Sequence, residues 1–111
     1  MATIVELASL AQSRRASLFV GADHGARVSF FVTVYARGDR VEQHRHPYEE
    51  VFLVETGRAL FMVDGEAIHA HAGQIVIVPA GAAHGFENRE DEPLRQVSIH
   101  PAPVLETEWL E

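Results

Sequence analysis

The pattern of the chain predicts an all-β fold, a sandwich or a barrel. Three observations carry this. Short runs rich in β-branched and aromatic residues recur along the chain, turn signals separate them, and no long helical period appears.

The first fifteen or so residues are ambiguous. Ile4, Leu7, Ala8 and Ala11 fall at helical spacing, but a short strand and turn fits equally well. From Arg27 onward the reading is β. Val28 to Arg37 is rich in Val, Phe, Thr and Tyr, which suit a pleated surface. Phe30, Val32, Val34 and Ala36 share one face. Phe31, Thr33 and Tyr35 share the other, which is too aromatic for a solvated surface. Either the strand is buried on both sides, or a second subunit covers its outer face.

Val51 to Val54 is a further strand, ended by Thr56-Gly57. Arg58 to Val63 and Glu66 to Ala72 flank Asp64-Gly65, the strongest hairpin signal in the chain, because a type I′ turn needs positive φ at both central residues. Gly73 turns the chain into Gln74 to Val78, which stops at Pro79. Ala83 to Asn88 is short and mixed, Arg89 to Pro93 is a charged loop, and Leu94 to His100 is a late strand stopped by Pro101 and Pro103. The tail carries the lone tryptophan, Trp109.

Composition narrows the chemistry. The 111 residues are one domain's worth, 47% hydrophobic and 23% charged. There is no cysteine, so there is no disulfide, thiolate nucleophile or cysteine-based zinc site. All nine basic residues are arginines, which removes lysine Schiff-base chemistry. A net charge of −7 makes nucleic acid a poor partner. No run of about 18 apolar residues spans a membrane. Met1 to Arg15 lacks a basic start followed by an apolar block, so a cytoplasmic location is expected.

Seven histidines remain. His44 and His46 lie two apart, so on a strand both imidazoles point the same way and can converge on one ion. Glu50 has the same parity, although Pro47 interrupts the count, and His84 must arrive from a distant segment. Glu49 competes with Glu50 as an adjacent carboxylate. Parity with Phe52 and Val54 favours Glu50.

At this point the sequence resembles the cupin superfamily. The family's first motif reads here Gly38, five residues, His44-Arg45-His46, three residues, Glu50, six residues, Gly57. The second reads Gly73, five residues, Pro79-Ala80-Gly81, two residues, His84, three residues, Asn88. All ten fixed positions are filled. The resemblance implies a double-stranded β-helix, or jelly-roll barrel, over a single domain of residues 1–111, with core motifs at 38–57 and 73–88. It also implies one divalent metal ion on His44, His46, Glu50 and His84. Small cupins are commonly homodimers, which the aromatic second face of Val28 to Arg37 would suit.

Phe52, Val54 and Phe86 share parity with the ligands and are expected to line an apolar small-molecule pocket. Tyr35 and Arg58 are the remaining acid-base candidates. Gly38, Gly57, Gly73 and Gly81 are expected to serve chain reversals, and Asn88 to tie a turn. His69 and His71 form a second His-x-His with no following glutamate, and their neighbours Ile68, Ala70 and Ala72 take the apolar face. That pair is expected to face solvent. His24 and His100 show no partner pattern.

Three imidazoles and a carboxylate suit Zn, Fe, Mn, Ni or Co. On a six-coordinate ion they leave two positions open for substrate and water or dioxygen. The expected function is a metal-dependent enzyme of dioxygenase, isomerase or lyase type, oxygenase favoured, acting on a small molecule. The alternative is a non-catalytic metal or small-ligand binder or sensor. Fold alone does not choose.

Overall fold

The computed structural model describes residues 1–110 and contains two antiparallel sheets. The six-stranded sheet is built from β1 (Ala11–Gln12), β2 (Ala16–Phe19), β3 (Ser29–Tyr35), β5 (Glu50–Thr56), β8 (Ile75–Val78) and β10 (Leu94–His100), in the order β1-β2-β3-β10-β5-β8. The five-stranded sheet holds β4 (Arg40–Arg45), β6 (Arg58–Val63), β7 (Glu66–His71), β9 (His84–Glu87) and β11 (Glu108–Trp109), in the order β11-β4-β9-β6-β7. The ambiguous N-terminus resolves into a 3-10 turn at Leu7–Ser9 followed by β1 and β2.

The turns follow from the local sequence. Asp64 and Gly65 have φ of 48° and 80°, as a type I′ hairpin between β6 and β7 demands. The four motif glycines, Gly38, Gly57, Gly73 and Gly81, all take φ between 79° and 89°, a region open to glycine at little cost. Asn88 is fully buried. Its amide Nδ2 donates to the Tyr35 and Glu92 carbonyls, both at 3.0 Å, and its Oδ1 accepts from Glu90 N–H at 2.9 Å. It ties the end of β3 to the loop before β10.

Between the sheets, Phe52, Phe61 and Phe86 pack ring on ring with centroids 5.0–5.6 Å apart, joined by Val54, Val78 and Leu94. Phe61 has no exposed surface, so its truncation to alanine would cost about 3–5 kcal/mol.

The two faces of β3 are the reverse of the simplest expectation. Thr33 and Tyr35 are buried and Phe31 lines the interior cavity, so the aromatic face needs no second subunit to cover it. The outward face is the aliphatic one. Phe30 pairs with Ile99, Ile99 with Val51 and Val51 with Ile77. Val32 pairs with Val97, Val97 with Leu53 and Leu53 with Ile75. These rows make a continuous apolar outer surface, on which Ile75 and Ile77 are 62% and 65% exposed.

Candidate metal centre

Both histidines of the first pair reach the interior through an irregular strand. In β4, Val41 pairs with Phe86 and His44 with His84, so three steps on one strand match two on the other. The extra residue is a β-bulge. It lets Val41 and His44 both face inward, although strict alternation would separate them. The bulge presses on Gly85 of β9. A Cβ built there would lie 2.6 Å from the Val41 carbonyl oxygen and 2.9 Å from Gln43 Nε2. Only glycine fits at this position.

His44, His46, Glu50 and His84 converge on one point, with ligand atoms within 4.8 Å of one another and all four side chains buried. Glu49, the competing carboxylate, is exposed. His69 and His71 are exposed on β7 while Ala70 faces in. Of the pocket candidates, Phe52 and Phe86 line the cavity beside the cluster. Val54 lies in the hydrophobic core and is not among the cavity-lining residues. Tyr35 lines the cavity, and Arg58 is exposed elsewhere.

The protonation pattern of the rings follows from their backbone contacts. His44 Nδ1 lies 2.7 Å from the Glu42 carbonyl, His46 Nδ1 2.8 Å from that of Glu106, and His84 Nδ1 2.9 Å from that of Ala82. A carbonyl oxygen only accepts, so each Nδ1 carries a proton and donates it. In the neutral rings each Nε2 is then a lone pair turned inward. His46 Nε2 and His84 Nε2 both sit 3.0 Å from Glu50 Oε1. Lone pairs facing a carboxylate repel unless a cation lies between them, either a proton or a metal ion. His46 Nε2 has no aligned hydrogen-bond partner among the described residues.

The electrostatics agree. Burial pushes the Glu50 carboxyl up, but contacts from His100, His46 and His84 outweigh it and hold the group well below the usual carboxylate range. Burial lowers His44. Burial also works to lower His46, but the Glu50 carboxylate and the Glu106 carbonyl together raise it. The site thus favours ionised Glu50 and a positive charge beside it, and the N/O donor set fits a divalent ion.

Residues 30–100 match the cupin domain family. The chain is a cupin. It is 35% identical over 82 residues to "Polyketide synthase CurC" of Streptomyces cyaneus, covering 72% of this chain and 53% of that one. It is 35% identical over 66 residues to an acireductone dioxygenase of Sulfurihydrogenibium, covering 56% of this chain and 37% of that one. This cupin therefore spans about half the length of these relatives, or less. An uncharacterized Klebsiella pneumoniae protein with a double-stranded beta-helix domain superposes over 100% of this chain and 99% of its own, with TM-score 0.76 and 24% identity. That likeness establishes the jelly-roll barrel.

Two features of this cupin's site escape sequence reasoning. The first is His100, whose Nε2 lies 3.1 Å from Glu50 Oε2 and whose side chain is buried. The sequence does hold a signal for it. Along β10 the residues turned inward are Leu94, Gln96, Ser98 and His100, while Val97 and Ile99 face out. The polar residues share the buried parity, the inverse of a strand with one solvated face. The second is the tail. Trp109 pairs with His44 in β11 and its ring lies 4.8 Å from the His44 ring, while the Glu106 carbonyl orients His46. A two-residue strand at a chain end leaves no periodicity to read.

Proposed function

We propose that this cupin is a metal-dependent enzyme acting on a small, oxygen-rich molecule held in the barrel. It holds one divalent ion on His44, His46, Glu50 and His84. The observation that carries the reading is the set of inward imidazole lone pairs meeting an ionised carboxylate, next to a cavity of about 210 Å³. Phe31, Tyr35, Phe52, Phe86 and Trp109 wall that cavity. The aromatic walls suit a small planar substrate. A bound ion would supply Lewis-acid activation at the cavity. The chain's own work is to hold three rings in one tautomer through the Glu42, Glu106 and Ala82 carbonyls, and to keep Glu50 ionised.

A relative named acireductone dioxygenase supports an oxygenase among the dioxygenase, isomerase and lyase chemistries. Oxygen uptake and product formation by the Fe(II)-loaded protein with catechols, flavonols, β-diketones and thiols test it. Turnover of one class, abolished in the His44→Ala/His84→Ala variant, is the expected result. Metal loading without conversion of any substrate, by iron, manganese, nickel, cobalt or zinc forms, would replace the enzyme with a binding protein.

The same reading places a second copy of the chain on the outer face of the six-stranded sheet. The apolar rows from Phe30 to Ile77 continue across four strands with no charged residue among them. Light scattering at micromolar concentration should give a dimer, and Leu53→Glu/Ile77→Glu a monomer. A monomeric wild type would remove this part of the proposal. No helix among the described residues is long and apolar enough to cross a membrane.

A further inference from the structure

The cavity contains a fourth imidazole, His100, whose hydrogen bonding is opposite to that of the three already described. Its Nδ1 faces the Tyr48 hydroxyl at 2.8 Å, not a carbonyl. The Tyr48 oxygen accepts from Glu106 N–H at 3.3 Å. The hydroxyl still has its own proton to give, and His100 Nδ1 is the acceptor set beside it. His100 Nε2 lies 3.1 Å from Glu50 Oε2, where a proton is favoured over a lone pair, so the ring accepts at Nδ1 and carries its proton at Nε2.

That Nε2–H points into the cavity. The residue is 3% exposed, and Glu50 Oε2 lies 3.1 Å away, but the contact lacks hydrogen-bond alignment and no other partner is present among the described residues. The misaligned contact with Glu50 leaves this buried Nε2–H with donating capacity that an oxygen bound in the cavity can take up. A protonated Nε2 has no lone pair, so it cannot serve as a metal ligand in this tautomer. The cavity therefore presents lone pairs from His44, His46 and His84, and one donor from His100. Phe31 packs against the His100 ring with centroids 5.6 Å apart, and Ser98 lies on the same wall.

We propose that His100 Nε2–H donates a hydrogen bond to an anionic oxygen of the molecule that binds beside the ion, and that Tyr48 holds His100 in the donating tautomer. The ligand class is a small planar oxyanion of the enolate or phenolate kind. This rests on the metal-site reading above. His100 touches the ligand, and Tyr48 acts through His100 as a positioning residue.

The test is titration of the cobalt(II)-loaded protein with 4-nitrocatechol, followed by the visible band of the probe, alongside cobalt content by elemental analysis. His100→Leu should keep its cobalt and bind the probe about ten- to a hundredfold more weakly, the usual effect of losing a hydrogen bond to a charged group. His100→Gln, which restores an amide N–H, should recover part of that loss, and Tyr48→Phe should fall between. Should the leucine variant not fold, the glutamine and phenylalanine variants carry the comparison. Equal probe affinity at full cobalt in wild type and variants overturns the assignment. So does a wild-type cobalt protein that does not bind the probe. Loss of cobalt from both His100 variants would make His100 a metal-holding residue instead. A wild type that takes up no cobalt defeats the metal reading itself, and this inference with it.

Discussion

The chain carries the tripeptide pattern His-x-His twice, and the two copies differ in everything but spacing. His44 and His46 are buried, their Nδ1 atoms are engaged by the Glu42 and Glu106 carbonyls, and Glu50 faces them. His69 and His71 stand exposed on β7, and His71 Nδ1 lies 3.1 Å from the neighbouring Ala72 carbonyl. Alternation aligns two imidazoles in either place. What makes a site is a backbone carbonyl that fixes each ring's tautomer, and burial that makes a carboxylate's charge count. The first pair obtains this from a bulged strand and a tail that returns over it.

The largest effect should come from the ligands themselves. His44→Ala/His84→Ala should bring bound metal, measured by elemental analysis after dialysis, down to background. His69→Ala/His71→Ala should leave it at the wild-type level. Equal loss in both would erase the contrast between the pairs.

Next in size is the tail. Truncation after Leu105 removes the Glu106 carbonyl from His46 and the Trp109 ring from His44 without removing any ligand. Metal affinity by competition with a chromogenic chelator should fall roughly 10–100-fold, the range for loss of outer partners.

Gly85→Ala should cost about tenfold in the same assay. Its Cβ would collide with the Val41 carbonyl and push the bulge that turns His44 inward. The smallest effect on the site should come from Asn88→Ala, which strands the Tyr35 and Glu92 carbonyls. It should lower unfolding free energy by about 1–3 kcal/mol in urea while leaving metal affinity within about twofold.

Most of this architecture is legible in the sequence. The hairpin at Asp64-Gly65, the strand ends at Gly57 and Pro79, and the four converging residues each rest on a local signal: a turn chemistry, a breaker, or a filled motif. Three things could not be read that way. The β4 bulge breaks the two-residue period, so counting from Val41 would turn His44 outward. The faces of β3 are both apolar, and periodicity alone does not say which is inside. His100 is brought to Glu50 by the pairing of β10 with β5, a contact between residues far apart in sequence. Its clue was the polarity of β10, with Gln96, Ser98 and His100 on one side and Val97 and Ile99 on the other.

The most direct test of the centre is long-range ¹H–¹⁵N correlation on the imidazoles of the zinc-loaded, ¹⁵N-labelled protein. His44, His46 and His84 should each appear protonated at Nδ1, with Nε2 shifted on zinc addition, while the His69 and His71 nitrogens stay where they are in the zinc-free protein. A proton at Nε2 of any of the three inward rings in the zinc form, or zinc-induced shifts confined to His69 and His71, would contradict the account.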